Sequence, residues 1–328
     1  MKDPRTERRH SARAAVYAAL AGNLAVALTK LVAAAITGSA SMFSEAVHSV
    51  VDCGNEALIL YGYRRATRKP DVVHPLGFGR ELYFWSFIVA LLLFALGAGV
   101  AIYQGIWHVV VPQSMEHLTV SYVVLGLSFI FESTSWVVGW RAFAKSRGSI
   151  GFWKAFHQSK DPPAFMVLFE DSAAMIGIAI ATIGITAAER LDMPILDGVA
   201  SIFIGIVLAV TAILLAIESK SLLIGERATP ALVEAICKIA QEQEGVAHAN
   251  SALTAQLAPD QAIVALSVEF DPVLVTEQIE KCVETIEAKV RAAHPEVVAL
   301  FVKPQTVGEF EKARRRRFGD YHFAAPMP

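Results

Sequence analysis

Residues 41–63 form an apolar stretch that is interrupted by charged and polar side chains. The stretch has the length and composition of a membrane-spanning helix, yet it contains Glu45, His48, Asp52 and Asn55. On a helix, His48 and Asp52 lie one turn apart on one face, and the other two side chains continue that face at spacings of three. Ionisable groups inside a membrane are costly, so this stripe predicts a functional site. The alternative is a polar seam between helices.

A histidine and a carboxylate placed one helical turn apart can bind a divalent transition metal. Imidazole nitrogen and carboxylate oxygen are both common ligands of zinc and of the neighbouring divalent metals. The pair His48 and Asp52 therefore predicts a metal site at membrane depth.

The chain as a whole is too apolar for an ordinary soluble protein of this length. Hydrophobic residues make up 54% of its 328 residues, and charged residues make up 18%. Together with residues 41–63, five more apolar stretches are each long enough to cross a bilayer, which predicts six membrane spans. These stretches are residues 14–36, 81–107, 119–143, 164–187 and 196–217.

Basic residues are concentrated in the segments on one side of the predicted membrane domain. The N-terminus, the loops 64–80 and 141–160 and the part after residue 217 carry nearly all Lys and Arg. The positive-inside rule therefore predicts that both termini are cytoplasmic. Acidic residues at Asp3 and Glu7 interrupt the basic N-terminus, so no organellar presequence is evident and a bacterial or archaeal inner membrane is expected.

After residue 226 the composition becomes that of a soluble domain. Apolar periodicity predicts an α-β-β-α-β order, a ferredoxin-like α+β arrangement. Its core is small, so pairing with a second copy is expected to stabilise it. The predicted helices are 230–244 and 275–293, and the predicted strands are 250–257, 261–270 and 297–302.

Three regions are thus predicted along the chain. Residues 1–226 form a membrane domain of six helices, and residues 227–305 form a cytoplasmic α+β dimerisation domain. Residues 306–328 form a basic tail, whose run Arg314–Arg317 is expected to contact solvent or lipid headgroups rather than nucleic acid.

Two more charged residues lie inside predicted spans. Lys30 either extends its ammonium to the membrane interface or neutralises a buried carboxylate. Glu132 must face protein or water, either as a partner of Lys30 or with a direct role in transport.

Three sequence motifs extend these observations to a known family. They are GSASMFSEAVHSVVDCGNE at 38–56, HPLGFGRELYF at 74–84 and VLFEDSAAMIG at 167–177. With six spans and the α-β-β-α-β domain, they resemble the cation diffusion facilitator family, and most closely its zinc-transporter-9-like branch. The resemblance implies a homodimer in a lipid bilayer that transports divalent metal ions.

The resemblance also implies metal ligands on the second and fifth helices, two on each at a spacing of four. Carried over residue by residue, His48, Asp52 and Asp171 match, whereas the fourth position falls on Val167, which cannot bind a metal. The site then has either three protein ligands and a water, or an oxygen ligand from another residue.

Two acidic residues are candidates for this missing oxygen. Glu170 is adjacent to Asp171 and about 100° around the helix, whereas Glu45 lies one turn outward from His48. A site with one nitrogen and several oxygens accepts zinc but discriminates less against manganese, iron(II) and cobalt. The loop residues Asp71 and His74 form a weaker candidate surface site, because Phe78 stands where the family often has histidine.

The expected function is export of a divalent cation, foremost Zn²⁺, from the cytoplasm in exchange for H⁺. Metal and protons compete for the same imidazole and carboxylate groups, which couples the two ions. An enzyme is not expected, since motifs such as G-x-S-x-G and H-E-x-x-H are absent, and no cofactor is expected. The alternatives are an exporter of Mn²⁺, Fe²⁺ or Co²⁺, and a non-transporting scaffold with a degraded metal site.

Overall fold

The computed structural model describes residues 4–148 and 151–319. These residues divide into two compact units. The first contains residues 4–68 and 81–220, and the second contains residues 69–80 and 221–319. Residues 149–150 of the predicted basic loop and residues 320–328 of the predicted tail lie outside the described part.

Helices account for nearly all of the first unit. Helices α1 and α2 are joined by a tight turn at Gly38, whose φ of 65° suits glycine. A π-helical turn, Leu93–Ala98, connects α3 to α4, so the two form one continuous segment. In chain order the helices are α1 (Pro4–Thr37), α2 (Ala40–Ala66), α3 (Arg80–Leu92), α4 (Gly99–Val110), α5 (Leu118–Arg147), α6 (Phe152–Gln158), α7 (Pro162–Leu191) and α8 (Ile195–Ile224).

Long helical segments lie at all six places where membrane spans are predicted, within the residues that the structure describes. Four of them are long and apolar enough to cross a membrane, namely 80–110, 118–145, 162–191 and 195–224. The described apolar part of the first helix, Gly22–Thr37, is shorter, and α2 carries charged side chains throughout. The structure therefore supports four of the six predicted spans by length and composition.

Helices α4 and α8 approach each other closely through glycine. A Cβ added at Gly105 would lie 2.7 Å from the carbonyl oxygen of Gly198, and one added at Gly198 would lie 2.9 Å from that of Gly105. Such contacts between small residues hold helices together in membranes, where no hydrophobic driving force exists between helices. A hydroxyl bond from Ser201 to the carbonyl of Ala101, at 2.8 Å, reinforces the same contact.

The second unit contains a three-stranded sheet with helices α9 and α10. Strand β2 lies in the centre, antiparallel to β1 and parallel to β3, and Ile236, Val264 and Ile286 are fully buried between helices and sheet. The predicted α-β-β-α-β order is confirmed. The elements are α9 (Pro230–Gln241), β1 (Val246–Ala258), β2 (Gln261–Phe270), α10 (Thr276–Ala293), β3 (Val297–Pro304) and α11 (Val307–Phe318).

Two short helices have no counterpart among the predicted elements. Helix α6 lies in the predicted basic loop, and α11 covers much of the predicted tail. Thr306 caps α11 by accepting a bond from the backbone N–H of Glu309 at 3.4 Å. None of the residues of α11 is buried, so it has no apolar stripe from which its helical period can be read.

Candidate metal centre

A small cavity in the first unit is lined by residues of α1, α2, α5 and α7. Its volume of about 40 Å³ accommodates a metal ion with few waters. Five carboxylic side chains line it, with amide, hydroxyl and apolar groups between them. The lining residues are Asn23, Val26, Ser49, Asp52, Glu56, Glu132, Ser135, Val167, Glu170 and Asp171.

Of the residues predicted to bind metal, Asp52, Glu170 and Asp171 line this cavity. Asp171 has one carboxylate oxygen, Oδ2, that is buried without a hydrogen-bond partner among the described residues. Glu170 is buried, and its Oε1 accepts a bond of 2.9 Å from the side-chain amide of Asn55. Although Glu170 and Asp171 are neighbours in sequence, both side chains face the same cavity.

His48 lies next to the cavity without lining it. Its side chain is fully buried, and its Nδ1 is 3.4 Å from Oδ1 of Asp52. In the part of the chain that the structure describes, neither ring nitrogen has a hydrogen-bond partner. A buried polar group without a partner is costly, so the imidazole is suited to bind a cation that approaches Asp52.

Glu45 is held away from the cavity. Its Oε2 lies 3.2 Å from Nζ of Lys30, and both side chains are fully buried. Lys30 is also 3.9 Å from Oε1 of Glu132. Lys30 thus neutralises buried carboxylates, and the alternative that its ammonium extends to the interface is wrong. Glu132 is a partner of Lys30 and also lines the cavity.

The cavity also contains residues that were not predicted. Asn23 of α1 donates a short hydrogen bond to Glu56 of α2, and both line the cavity. Glu56 follows Asp52 by four residues and Asn23 precedes Lys30 by seven, so each shares a helical face with a residue already singled out. This spacing is the sequence signal from which Asn23 and Glu56 could have been predicted as lining residues.

The carboxylates that line the cavity do not converge on one point. Across residues 4–148 and 151–319, no three His, Cys, Asp or Glu side chains lie close enough together to hold a metal ion. Like charges repel at short range unless a cation or protons compensate them. A cation bound here would therefore have to draw Asp52, Asp171 and His48 together.

A second buried polar cluster fixes the start of α2. Asp197 accepts hydrogen bonds from the hydroxyl of Ser39 at 2.9 Å and the backbone N–H of Ala40 at 2.5 Å, and a short one from the Ser41 hydroxyl. A carboxylate at a helix N-terminus is favourable because the first N–H groups lack helical partners. His108 is also buried here, with Nε2 3.9 Å from Asp197. This cluster, which was not predicted, positions the helix that carries His48 and Asp52.

The loop pair Asp71 and His74 belongs to the second unit. Nδ1 of His74 lies 3.1 Å from Oδ1 of Asp71, and the His74 ring packs on Phe78 at 4.4 Å. The backbone N–H of His74 also donates to Asp71 and holds the pKa of that carboxyl below its usual value. These contacts close a turn in the loop, and a metal site here stays a prediction.

The fold and the cavity are those of a helical, multi-pass membrane protein with an acidic site between its helices. The cation efflux transmembrane domain matches residues 16–224. The chain therefore belongs to the cation efflux family, which confirms the resemblance to the cation diffusion facilitators.

Relatives of the chain carry names that refer to metals. The chain is 31% identical over 249 residues to the mitochondrial proton-coupled zinc antiporter SLC30A9 of Mus musculus, with 75% of this chain and 44% of the relative covered. The Xenopus laevis protein of the same name is 32% identical over the same shares. Metal tolerance protein C4 of Arabidopsis thaliana is 34% identical over 222 residues, 66% of this chain and 48% of that protein. The chain thus spans less than half the length of these relatives.

Proposed function

We propose that the protein is a secondary transporter that exports a divalent transition-metal cation, foremost Zn²⁺, from the cytoplasm in exchange for protons. The observation that carries this proposal is the cavity to which α2 contributes Asp52 and α7 contributes Asp171, with His48 beside Asp52. The name of the relative SLC30A9, a proton-coupled zinc antiporter, supports both the cation and the coupling ion.

The coupling follows from competition at the same atoms. Metal binds neutral imidazole and ionised carboxylate, so a proton on His48, Asp52 or Asp171 excludes it. A cation that arrives from the cytoplasm displaces protons, and the helices then rearrange to open the cavity to the opposite side. Protons that enter from that side displace the cation, and the reverse movement completes the cycle.

The topology and assembly are part of the same proposal. Six membrane spans with both termini in the cytoplasm place the basic loops inside. The second unit pairs two copies of the chain, and a row of side chains across its sheet supports this. Leu253, Ala265 and Phe301 lie opposite one another in register, and Leu253 and Phe301 are 48% and 61% exposed.

A flux measurement tests the proposed exchange. Purified protein in liposomes with an imposed pH gradient is expected to accumulate Zn²⁺, and His48→Ala and Asp52→Ala are each expected to lower the initial rate at least about tenfold, because a lost ligand typically removes that much affinity. Thr29→Val, on the exposed side of α1, is the matched control. Full pH-driven zinc movement by either site variant would refute the mechanism.

A second candidate cargo is favoured by the chemistry of the cavity. Its polar lining is composed of carboxylate, amide and hydroxyl groups, and oxygen-rich sites suit Mn²⁺ and other hard cations better than nitrogen-rich ones. Flux of Zn²⁺, Mn²⁺, Fe²⁺ and Co²⁺ in direct competition separates the two candidates. Absence of flux for all four would favour a non-transporting scaffold.

A further inference from the structure

Lys30 of α1 is a fully buried lysine that joins three helices. Its Nζ lies 3.2 Å from Oε2 of Glu45 and 2.9 Å from the hydroxyl of Ser49, both on α2. It also lies 3.9 Å from Oε1 of Glu132 on α5. A buried ammonium persists only where opposite charges and hydrogen bonds replace its hydration, so these three contacts account for its position.

The two carboxylates that Lys30 contacts differ in what they face. Glu132 lines the cavity together with Asp52 and Asp171. Glu45 does not line the cavity; its Oε1 lies so close to Gly177 of α7 that a Cβ there would collide with it. Lys30 therefore compensates one carboxylate that a cation in the cavity would meet and a second that such a cation would not reach.

We propose that Lys30 sets the net negative charge of the cavity and thereby determines how tightly the transported cation is held. This inference rests on the proposed function. With the ammonium opposite Glu132, the remaining negative charge of the cavity comes from its other carboxylic side chains, which are Asp52, Glu56, Glu170 and Asp171. A transporter must also release its cargo, and a fixed positive charge beside the site weakens binding enough to allow release.

The double variant Lys30→Gln/Glu45→Gln tests this assignment. It removes the fully buried ion pair together, and it leaves Glu132, which lines the cavity, without its counter-ion. Initial rates of cation uptake into liposomes, measured against concentration, give the half-saturating concentration and the maximal rate. We expect the half-saturating concentration to fall about tenfold, the effect of one uncompensated charge near a binding site, and the maximal rate to fall because release slows.

Conservative and remote variants distinguish a charge effect from a packing effect. Lys30→Arg keeps the charge and is expected to keep the half-saturating concentration even where packing lowers the rate. Thr29→Val, next in sequence and exposed, is the matched control. If Glu45 were itself a cation ligand, the double variant would bind more weakly rather than more tightly, which would overturn the proposal.

Three further outcomes test the role of Lys30 or the proposed function. If the double variant does not assemble, Glu132→Gln tests the same charge from the other side and is expected to raise the half-saturating concentration about tenfold. If the half-saturating concentration is unchanged in either variant while the wild type transports normally, the proposed role of Lys30 is wrong but the proposed function is not. Wild-type vesicles that accumulate none of Zn²⁺, Mn²⁺, Fe²⁺ and Co²⁺ contradict the proposed function as well.

Discussion

Val167 is the residue at which this chain departs from the ligand pattern that its family resemblance implies. It precedes Asp171 by four residues and lines the cavity with it. The isopropyl side chain offers no lone pair, so α7 contributes carboxylate oxygen alone. At the scale of single residues, the preference for zinc over harder cations is therefore expected to depend on His48.

Val167→His is predicted to raise selectivity for Zn²⁺ over Mn²⁺ by about tenfold, because a second imidazole favours zinc more than manganese. Competition flux in liposomes, with both cations present, measures this ratio. Val167→Leu is the matched control, since it fills the same place without a ligand. A ratio that the histidine variant leaves unchanged would show that this position does not reach the transported cation.

Helical spacing predicted the stripe on α2 but not the partner of each residue on it. His48 and Asp52 are adjacent, as their spacing of four implies. Glu45 lies on the same face, yet Lys30 binds it and holds it away from the cavity. The contribution of Asn23 from α1 depends on how the helices pack, which spacing within one helix does not encode.

At the scale of helices, α4 and α8 form a close pair around Gly105 and Gly198. At each of these glycines, the backbone of the opposite helix occupies the space that a Cβ atom would need. The hydroxyls of Ser44 and Ser201 meet at 2.7 Å, and Asp197 holds the start of α2. The N-terminal half of α2 is therefore attached to α8 at two places.

Gly105→Ala is predicted to destabilise the membrane unit by about 1–3 kcal/mol, because overpacking forces the backbones apart. The added Cβ would lie 2.7 Å from a backbone oxygen, which cannot rotate away as a side chain can. Thermal unfolding of the detergent-solubilised protein measures the change. Gly126→Ala is the control, since nothing lies within 4 Å of its Cβ position. Equal midpoints for the two variants would contradict the close contact.

Long apolar helices were predictable, whereas short or irregular elements were not. The strands and helices of the second unit follow from period-two and period-3.6 patterns in their sequences. The π-helical turn Leu93–Ala98 lies within a uniformly apolar run, where no pattern separates a π turn from an α turn. Helix α6 has seven residues, too few for a period to emerge.

At the scale of the whole molecule, the loop 69–80 joins the second unit although it lies between two helices of the first. A Cβ at Gly79 would lie 2.7 Å from the side-chain oxygen of Gln261 and 3.0 Å from the carbonyl of Leu257. Glycine is needed at this close approach. Sequence alone placed the loop with the membrane helices, because contacts between distant segments leave no local pattern.

The exposed row of Leu253 and Phe301 leads to a prediction about assembly. Large exposed apolar side chains in one row across a sheet face, here with Ala265 between them, indicate an interface, and a core of this size gains from pairing. Leu253→Glu/Phe301→Glu is therefore predicted to convert a dimer into a monomer, because paired copies would bury four uncompensated carboxylates.

Light scattering coupled to size-exclusion chromatography measures the mass of the full chain in detergent. Val273→Glu is the control, because Val273 is 83% exposed in the turn after β2. This substitution adds one carboxylate per chain away from the sheet face, whereas the double variant adds two on it. The control is expected to keep the dimer mass, whereas the double variant is expected to halve it. If the double variant remains dimeric, the interface lies on another surface. If the wild-type protein is monomeric, the proposed pairing of two copies is wrong, whereas the proposal for the cavity and its cation is unaffected.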